Sequence, residues 1–290
     1  MKAILKFMLL VFLYSTVFMV ANALIPFSAQ MQALNVPATD VMASLMKIPP
    51  MVIDTVWIMA AICFVVKHAN KNGIPLVLTV AGVIFFVQTF MTQIETLLFG
   101  GSFAITTVDI LLIMAAGIFP VAAVTPLAVK FFANKEMVSI HDGIGVSTLV
   151  RILSLGGIYL VLYMLFGYFI AWQFEAVRLF YTGTAAKPTL LGQLAINFHT
   201  NPIIYPFQLI RGMLFASAIL PIRRLMTNRK DFMMSTFFLF ICPAIVLVVP
   251  NFLMPDAVRV AHLIEMSVSM ALFAVITGFM LWEKRDDKHV

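Results

Sequence analysis

Ionisable and amide side chains sit inside otherwise apolar stretches of this chain, and their spacing is not random. Gln88, Thr92 and Glu95 fall at i, i+4 and i+7, so a helix places them on one face. Gln208 and Arg211 are one turn apart on one face, and Arg259, His262, Glu265 and Ser269 form a similar stripe. A charge in such a setting must be buried, paired or solvated, because Arg, Lys or Asp at a helix centre costs about 2.5–3.5 kcal/mol on insertion scales. Arg211 has the strongest need for a partner, since a guanidinium does not give up its proton. Glu95 and Glu265 are its candidate partners. The expectation is that one of them pairs Arg211 and the other is the titratable group, with His262 as a proton carrier.

Other chemistries lack their residues. His262 and Glu265 at i, i+3 can face one ion with Glu95 as a third ligand, but only one His lies in any expected span and there is no H-E-x-x-H stretch, so no metal is assigned. The paired His of a membrane haem site is absent. Ser269 is one turn from Glu265, but nothing marks it as an activated nucleophile. No P-loop occurs, and no cofactor is expected. Cys63 and Cys242 both fall in apolar segments, where Cys behaves as an inert small hydrophobe. No catalytic residue is assigned.

The elements that must hold these groups are transmembrane. The 290 residues are 62% hydrophobic and 11% charged, with mean hydropathy +1.03; soluble domains run near 25% charged. The fold class is therefore an all-α polytopic bundle, one transmembrane domain over 1–290, with about eight spans near 4–24, 51–66, 74–99, 107–132, 147–173, 204–222, 232–253 and 258–282. A net charge of +6 does not mark a nucleic-acid binder here, because the basic residues lie in short loops where they set orientation. Lys2, Lys6, Lys67, Lys71, Lys130, Lys135, Arg151, Arg223, Arg224, Arg229, Lys230, Lys284, Arg285 and Lys288 all fall on one side of an eight-span arrangement. The other side holds Lys47, Arg178 and Lys187, with Arg211 and Arg259 near or within the outer halves of spans. Both termini are therefore expected in the cytoplasm, in a bacterial inner membrane. Residues 1–23 also read as a signal peptide ending in Ala21-Asn22-Ala23, and cleavage there would leave seven spans with the same orientation; the reading adopted keeps the first span.

Depth narrows the site. Arg211 lies about 10 Å below the outer start of its span at 1.5 Å per residue, with Glu265 at a similar depth and Glu95 about one turn below the outer end of its span. One outward-facing polar site is expected. Asp54, Asp109 and the Glu175/Arg178 pair are read as groups that reach water near the outer interface. Two outer connections are long: residues 25–50, with Pro26, Pro37, Pro49 and Pro50, and residues 174–203, with a short surface helix near Leu190–Phe198.

The stretch Val258–Glu265 with Ser267, Ser269 and Gly278, the segment Tyr168–Gln173 with Arg178 and Tyr181–Gly183, and Gln208–Gly212 together resemble a group of uncharacterised bacterial multi-pass membrane proteins. The likeness covers roughly the last third to half of the chain and implies no activity. The chain departs from the membrane-embedded prenyl-protein endopeptidases: Glu175 stands alone before Arg178, and the His spacing differs.

The expected function is an outward-facing polar intramembrane pocket that binds or transports a small polar or amphiphilic molecule such as a lipid. One alternative is a membrane-embedded enzyme acting on a lipid or peptide at the outer face, with a glutamate as general base. Another is a non-catalytic accessory subunit whose ion pairs lock helices together. The lipid bilayer is the expected partner, nucleic acid is not, and the oligomeric state is left open.

Overall fold

The computed structural model describes residues 1–34, 46–98, 105–134, 145–251 and 253–282. Among them there is no strand, and eight helices are long and apolar enough to cross a membrane. These are α1 (Lys2–Leu24), α3 (Ile48–His68), α4 (Gly73–Leu98), α5 (Thr107–Phe132), α6 (Val146–Phe169), α9 (Ile204–Ala218, continued by the turn Leu220–Leu225), α10 (Arg229–Ile245) and α11 (Asp256–Leu281). Three short helices, α2 (Ala29–Leu34), α7 (Glu175–Thr182) and α8 (Leu190–Thr200), lie in connections. Pro37, Lys135, Phe99, Lys284, Arg285 and Lys288, used in the sequence reading, lie outside the described residues.

Several boundaries differ from the sequence reading for local reasons. Pro49 and Pro50 belong to the first turn of α3, where a missing N–H breaks no helical bond. α10 ends at Ile245 and passes through a 3₁₀ turn, Val246–Val248, so the expected span to 253 is too long. Within α4, residues Phe85–Phe90 form a π-helical turn, which a 3.6-residue period does not register. The turn packs where α5 approaches closely, since a Cβ on Gly117 would lie 2.7 Å from the Thr89 side chain.

Large apolar side chains cover the outside of the bundle as well as filling its core. On α11, Val260, Ile264, Val268, Leu272, Val275 and Phe279 are exposed, while Glu265, Ser269 and Thr277 are buried. Hydrocarbon tolerates the first set and bundle interiors the second. α1 is largely exposed but seats Leu10 and Tyr14 in the core against α3 and α5, and Ser15 Oγ donates to Thr55 Oγ1 at 3.2 Å.

Contacts gather the basic residues at one end of the bundle. Arg151 Nη1 donates to Met280 O and Arg223 Nη1 to Leu281 O, both at 3.0 Å; Arg229 lies over Phe279 and Lys6 over Phe131. The opposite end is organised by Asp109, which is fully buried. It accepts from Ser28 N at 2.8 Å, Ser28 Oγ at 2.6 Å, Thr106 N at 3.1 Å and Thr106 Oγ1 at 2.7 Å. Asp109 therefore does not reach water: it closes a capping box on α5 and ties down the end of the α1 connection.

α6 and α9 cross closely. A Cβ on Gly156 would lie 2.7 Å from Leu209 O, and one on Gly212 would run into Tyr159 Cβ. Small residues let these helices approach without a hydrophobic drive between them. Beside the crossing, Tyr159, Phe215, Phe240 and Phe273 interlock, with ring centroids 5.0–5.6 Å apart. Overpacking such a contact costs about 1–3 kcal/mol. Gly212→Ala is expected to lower the melting temperature of the detergent-purified protein, whereas Gly82→Ala, with nothing within 4 Å of its Cβ position, leaves it unchanged or slightly raised.

Candidate functional site

The α6–α9 crossing delivers Arg211 to a cavity of about 470 Å³ at the basic-poor end of the bundle. α4 brings Thr92 and Glu95 to this cavity, α6 Tyr159 and Tyr163, α11 His262, Glu265 and Ser269, and α8 Gln193 and Asn197. A volume of this size suits a small organic molecule.

Arg211 is only 2% exposed, and its Nη2 lies 2.6 Å from Glu95 Oε2. Gln208 closes a triangle through long contacts: its Nε2 donates to Glu95 Oε1 at 3.4 Å, and its Oε1 accepts from Arg211 Nη1 at 3.5 Å. The guanidinium also lies 5.9 Å from the Tyr159 ring and 5.7 Å from Phe215, within cation–π range. Arg211 Nε has no hydrogen-bond partner among the described residues.

The second group is a series of three side chains. Tyr181 Oη and His262 Nε2 are 3.2 Å apart, and His262 Nδ1 is 3.6 Å from Glu265 Oε2. Burial, then the negative charges of Glu95 and Glu265, push the Tyr181 hydroxyl well above its ordinary pKa, so it remains a protonated donor. A neutral imidazole that accepts from Tyr181 at Nε2 carries its proton on Nδ1, facing Glu265. The other tautomer would turn a lone pair toward the carboxylate, so the first is favoured. Glu265 is 6% exposed, and His262 is the charged or hydrogen-bonding neighbour found for it among the described residues.

The remaining sequence candidates divide. Thr92 and Ser269 line the cavity, but their hydroxyls donate to Gln88 O and Met266 O of their own helices. Gln88 does not line it; it lies in the π turn, whose wider winding breaks the i, i+4, i+7 register with Thr92 and Glu95. Arg259 also lies outside the lining. Its Nη1 donates to Leu247 O at 2.6 Å and Val248 O at 3.0 Å, and its Nη2 lies 2.8 Å from Asp256 Oδ1, so it caps the end of α10. Arg178 is not a solvated partner of Glu175. It is 8% exposed and donates to Trp172 O, Gln173 O and Ala185 O at 2.6–3.1 Å. Asp54 is half-buried, with Oδ1 unpartnered among the described residues, and is not part of this lining. No group of three His, Cys, Asp or Glu converges as a metal site among the described residues.

The sequence does not assign the aromatic walls Tyr159, Tyr163 and Trp172 to the site, nor the polar face of α8. There Gln193 Nε2 donates to Asn197 Oδ1 at 2.9 Å while Leu191 and Phe198 are exposed and outside the lining. The i, i+4 amides in an otherwise apolar helix were the available signal. Two tyrosines tether α8: Tyr168 Oη donates to Pro188 O at 2.9 Å and Tyr205 Oη to Leu194 O at 2.8 Å.

Compared with known proteins, the chain matches no family model, no curated protein and no solved structure.

Breaking a buried ion pair by removing one partner costs about 3–5 kcal/mol, whereas replacing both members with apolar or neutral groups is often neutral. Arg211→Met alone is expected to lower thermal stability sharply by stranding Glu95. Arg211→Met combined with Glu95→Gln should recover most of the loss, as read from melting curves of the three purified variants and the wild type.

Proposed function

We propose that this chain is a bacterial inner-membrane protein with both termini in the cytoplasm, whose outward-facing intramembrane cavity binds or transports a small polar or amphiphilic molecule. The observation that carries the reading is convergence. Glu95, Arg211, His262 and Glu265 come from three spans and meet at a single cavity, at the end opposite the clustered basic residues. Intramembrane ionisable groups beside a cavity are more often part of a ligand or ion path than of the lipid-facing surface. The orientation rests on the charge asymmetry of the two ends.

A second reading has its own support. The Tyr181–His262–Glu265 series is an arrangement for moving a proton, so a membrane-embedded enzyme with Glu265 as general base and His262 assisting is the alternative. A transporter requires Glu265 for flux and forms no product, so Glu265→Gln should abolish uptake into reconstituted vesicles. An enzyme yields a chemically altered lipid or peptide from the purified protein.

Thiol accessibility tests the common premise. In a background lacking Cys63 and Cys242, Thr92→Cys and Ser269→Cys are expected to react with a membrane-impermeant maleimide added from the periplasmic side. Thr277→Cys, at a fully buried position nearer the other end of α11, should not. Protection of both cavity thiols in folded protein would mean a closed, dry cluster and would favour the accessory-subunit reading.

A further inference from the structure

The two carboxylates of the cavity are not equivalent. Glu95 is committed, held by Arg211 at 2.6 Å and by Gln208, so the one arginine on the cavity wall is already neutralised. Glu265 has no such cation: His262 Nδ1 stands 3.6 Å away, beyond good hydrogen-bond range. A carboxylate offers about four acceptor positions, and among the described residues none on Glu265 is filled at hydrogen-bond distance. A buried carboxyl group left in this state is costly unless a partner joins it.

The surroundings of Glu265 fit one kind of cation. Tyr163, Trp172 and Tyr181 line the same cavity as Glu265, and the Trp172 ring is 6.0 Å from that of Tyr181. A cavity lined by aromatic rings and a carboxyl group is suited to alkylammonium groups, which cation–π attraction holds without the hydrogen bonds a hydrated metal ion demands. Further along, Leu162, Leu194, Leu247 and Met270 give the cavity an apolar stretch. An anionic headgroup finds no comparable seat. Arg211 is spent on Glu95, and its unpartnered Nε belongs to a side chain packed between the Tyr159 and Phe215 rings.

Resting on the cavity reading above, we propose that the ligand is an organic cation, an alkylammonium whose charged nitrogen sits between Glu265 and the Trp172, Tyr163 and Tyr181 rings while its apolar part occupies the Leu162–Leu194–Met270 side. The ammonium can belong to a lipid or to a free amine.

The test is calorimetric titration of the full chain in a neutral maltoside detergent with decyltrimethylammonium, tetramethylammonium and decyl phosphate, each below its critical micelle concentration. Decyltrimethylammonium is expected to bind with one-to-one stoichiometry and decyl phosphate not to bind. Glu265→Gln should weaken the cation at least tenfold. Trp172→Leu should weaken it several-fold and Trp172→Phe much less, which a merely structural role for the ring would not reproduce. If tetramethylammonium binds as tightly as the decyl compound, the proposal holds with a free ammonium as ligand; if the chain tightens binding, it holds with a lipid-like one. Equal binding of decyl phosphate, or undiminished cation binding by folded Glu265→Gln, overturns the cation seat and leaves the cavity reading standing. Absence of binding by all three probes, together with unreactive Thr92→Cys and Ser269→Cys thiols, overturns both.

Discussion

A guanidinium that is 2% exposed inside a membrane-spanning helix is the constraint around which this end of the bundle is arranged. Arg211 cannot be neutralised by losing a proton, so a counter-charge must reach it from another helix. Glu95 arrives from the last turns of α4, Gln208 from the turn preceding Arg211, and ring faces from α6 and α9. The ring contact depends in turn on the backbone: Tyr159 reaches the guanidinium because Gly212 and Gly156 remove the side chains that would hold α6 and α9 apart. Ion pair and glycine crossing are thus one device, and disturbing either moves the cavity wall.

The other arginines show that a cation in an apolar context has a second use. Arg151, Arg178, Arg223 and Arg259 each donate to carbonyls in or next to the last turn of a helix. Those carbonyls have no partner within their own helix, and near hydrocarbon water is scarce to replace one. A positive charge at a helix C-terminus also opposes the macrodipole. Arg211 differs because it sits mid-helix, where every carbonyl already has its N–H. It has no backbone to serve and must find an acid.

This distinction marks how far the sequence could be read. Hydropathy reveals the eight spans, since each is a long apolar run, and the need of Arg211 for a carboxylate comes from its chemistry alone. Choosing between Glu95 and Glu265 required knowing which helices are neighbours, which a periodic pattern does not encode. Arg259 has the same local spacing to His262 and Glu265 as any member of a stripe, yet Asp256 and the end of α10 draw it away. Gln88 was misplaced because a six-residue π turn has no compositional signature and rotates the first half of α4 relative to the second. Asp109 reads as an interfacial acid until Ser28 and Thr106, from two separate connections, surround it.

The cavity wall is uneven in how firmly it is held. α6, α9 and α11 meet through interlocked rings and a glycine crossing, so displacing any of them disrupts close-packed core. α8 is too short to span and is anchored to α6 and α9 through two tyrosine hydroxyls. Gln193 and Asn197 face the cavity together with Leu190 and Leu194, while Leu191 and Phe198 are exposed outside it, so α8 leaves apolar side chains uncovered as an interfacial helix does. Among the described residues no other side-chain hydrogen bond links α8 to a spanning helix. The side of the cavity with least to lose on opening is therefore the α8 side.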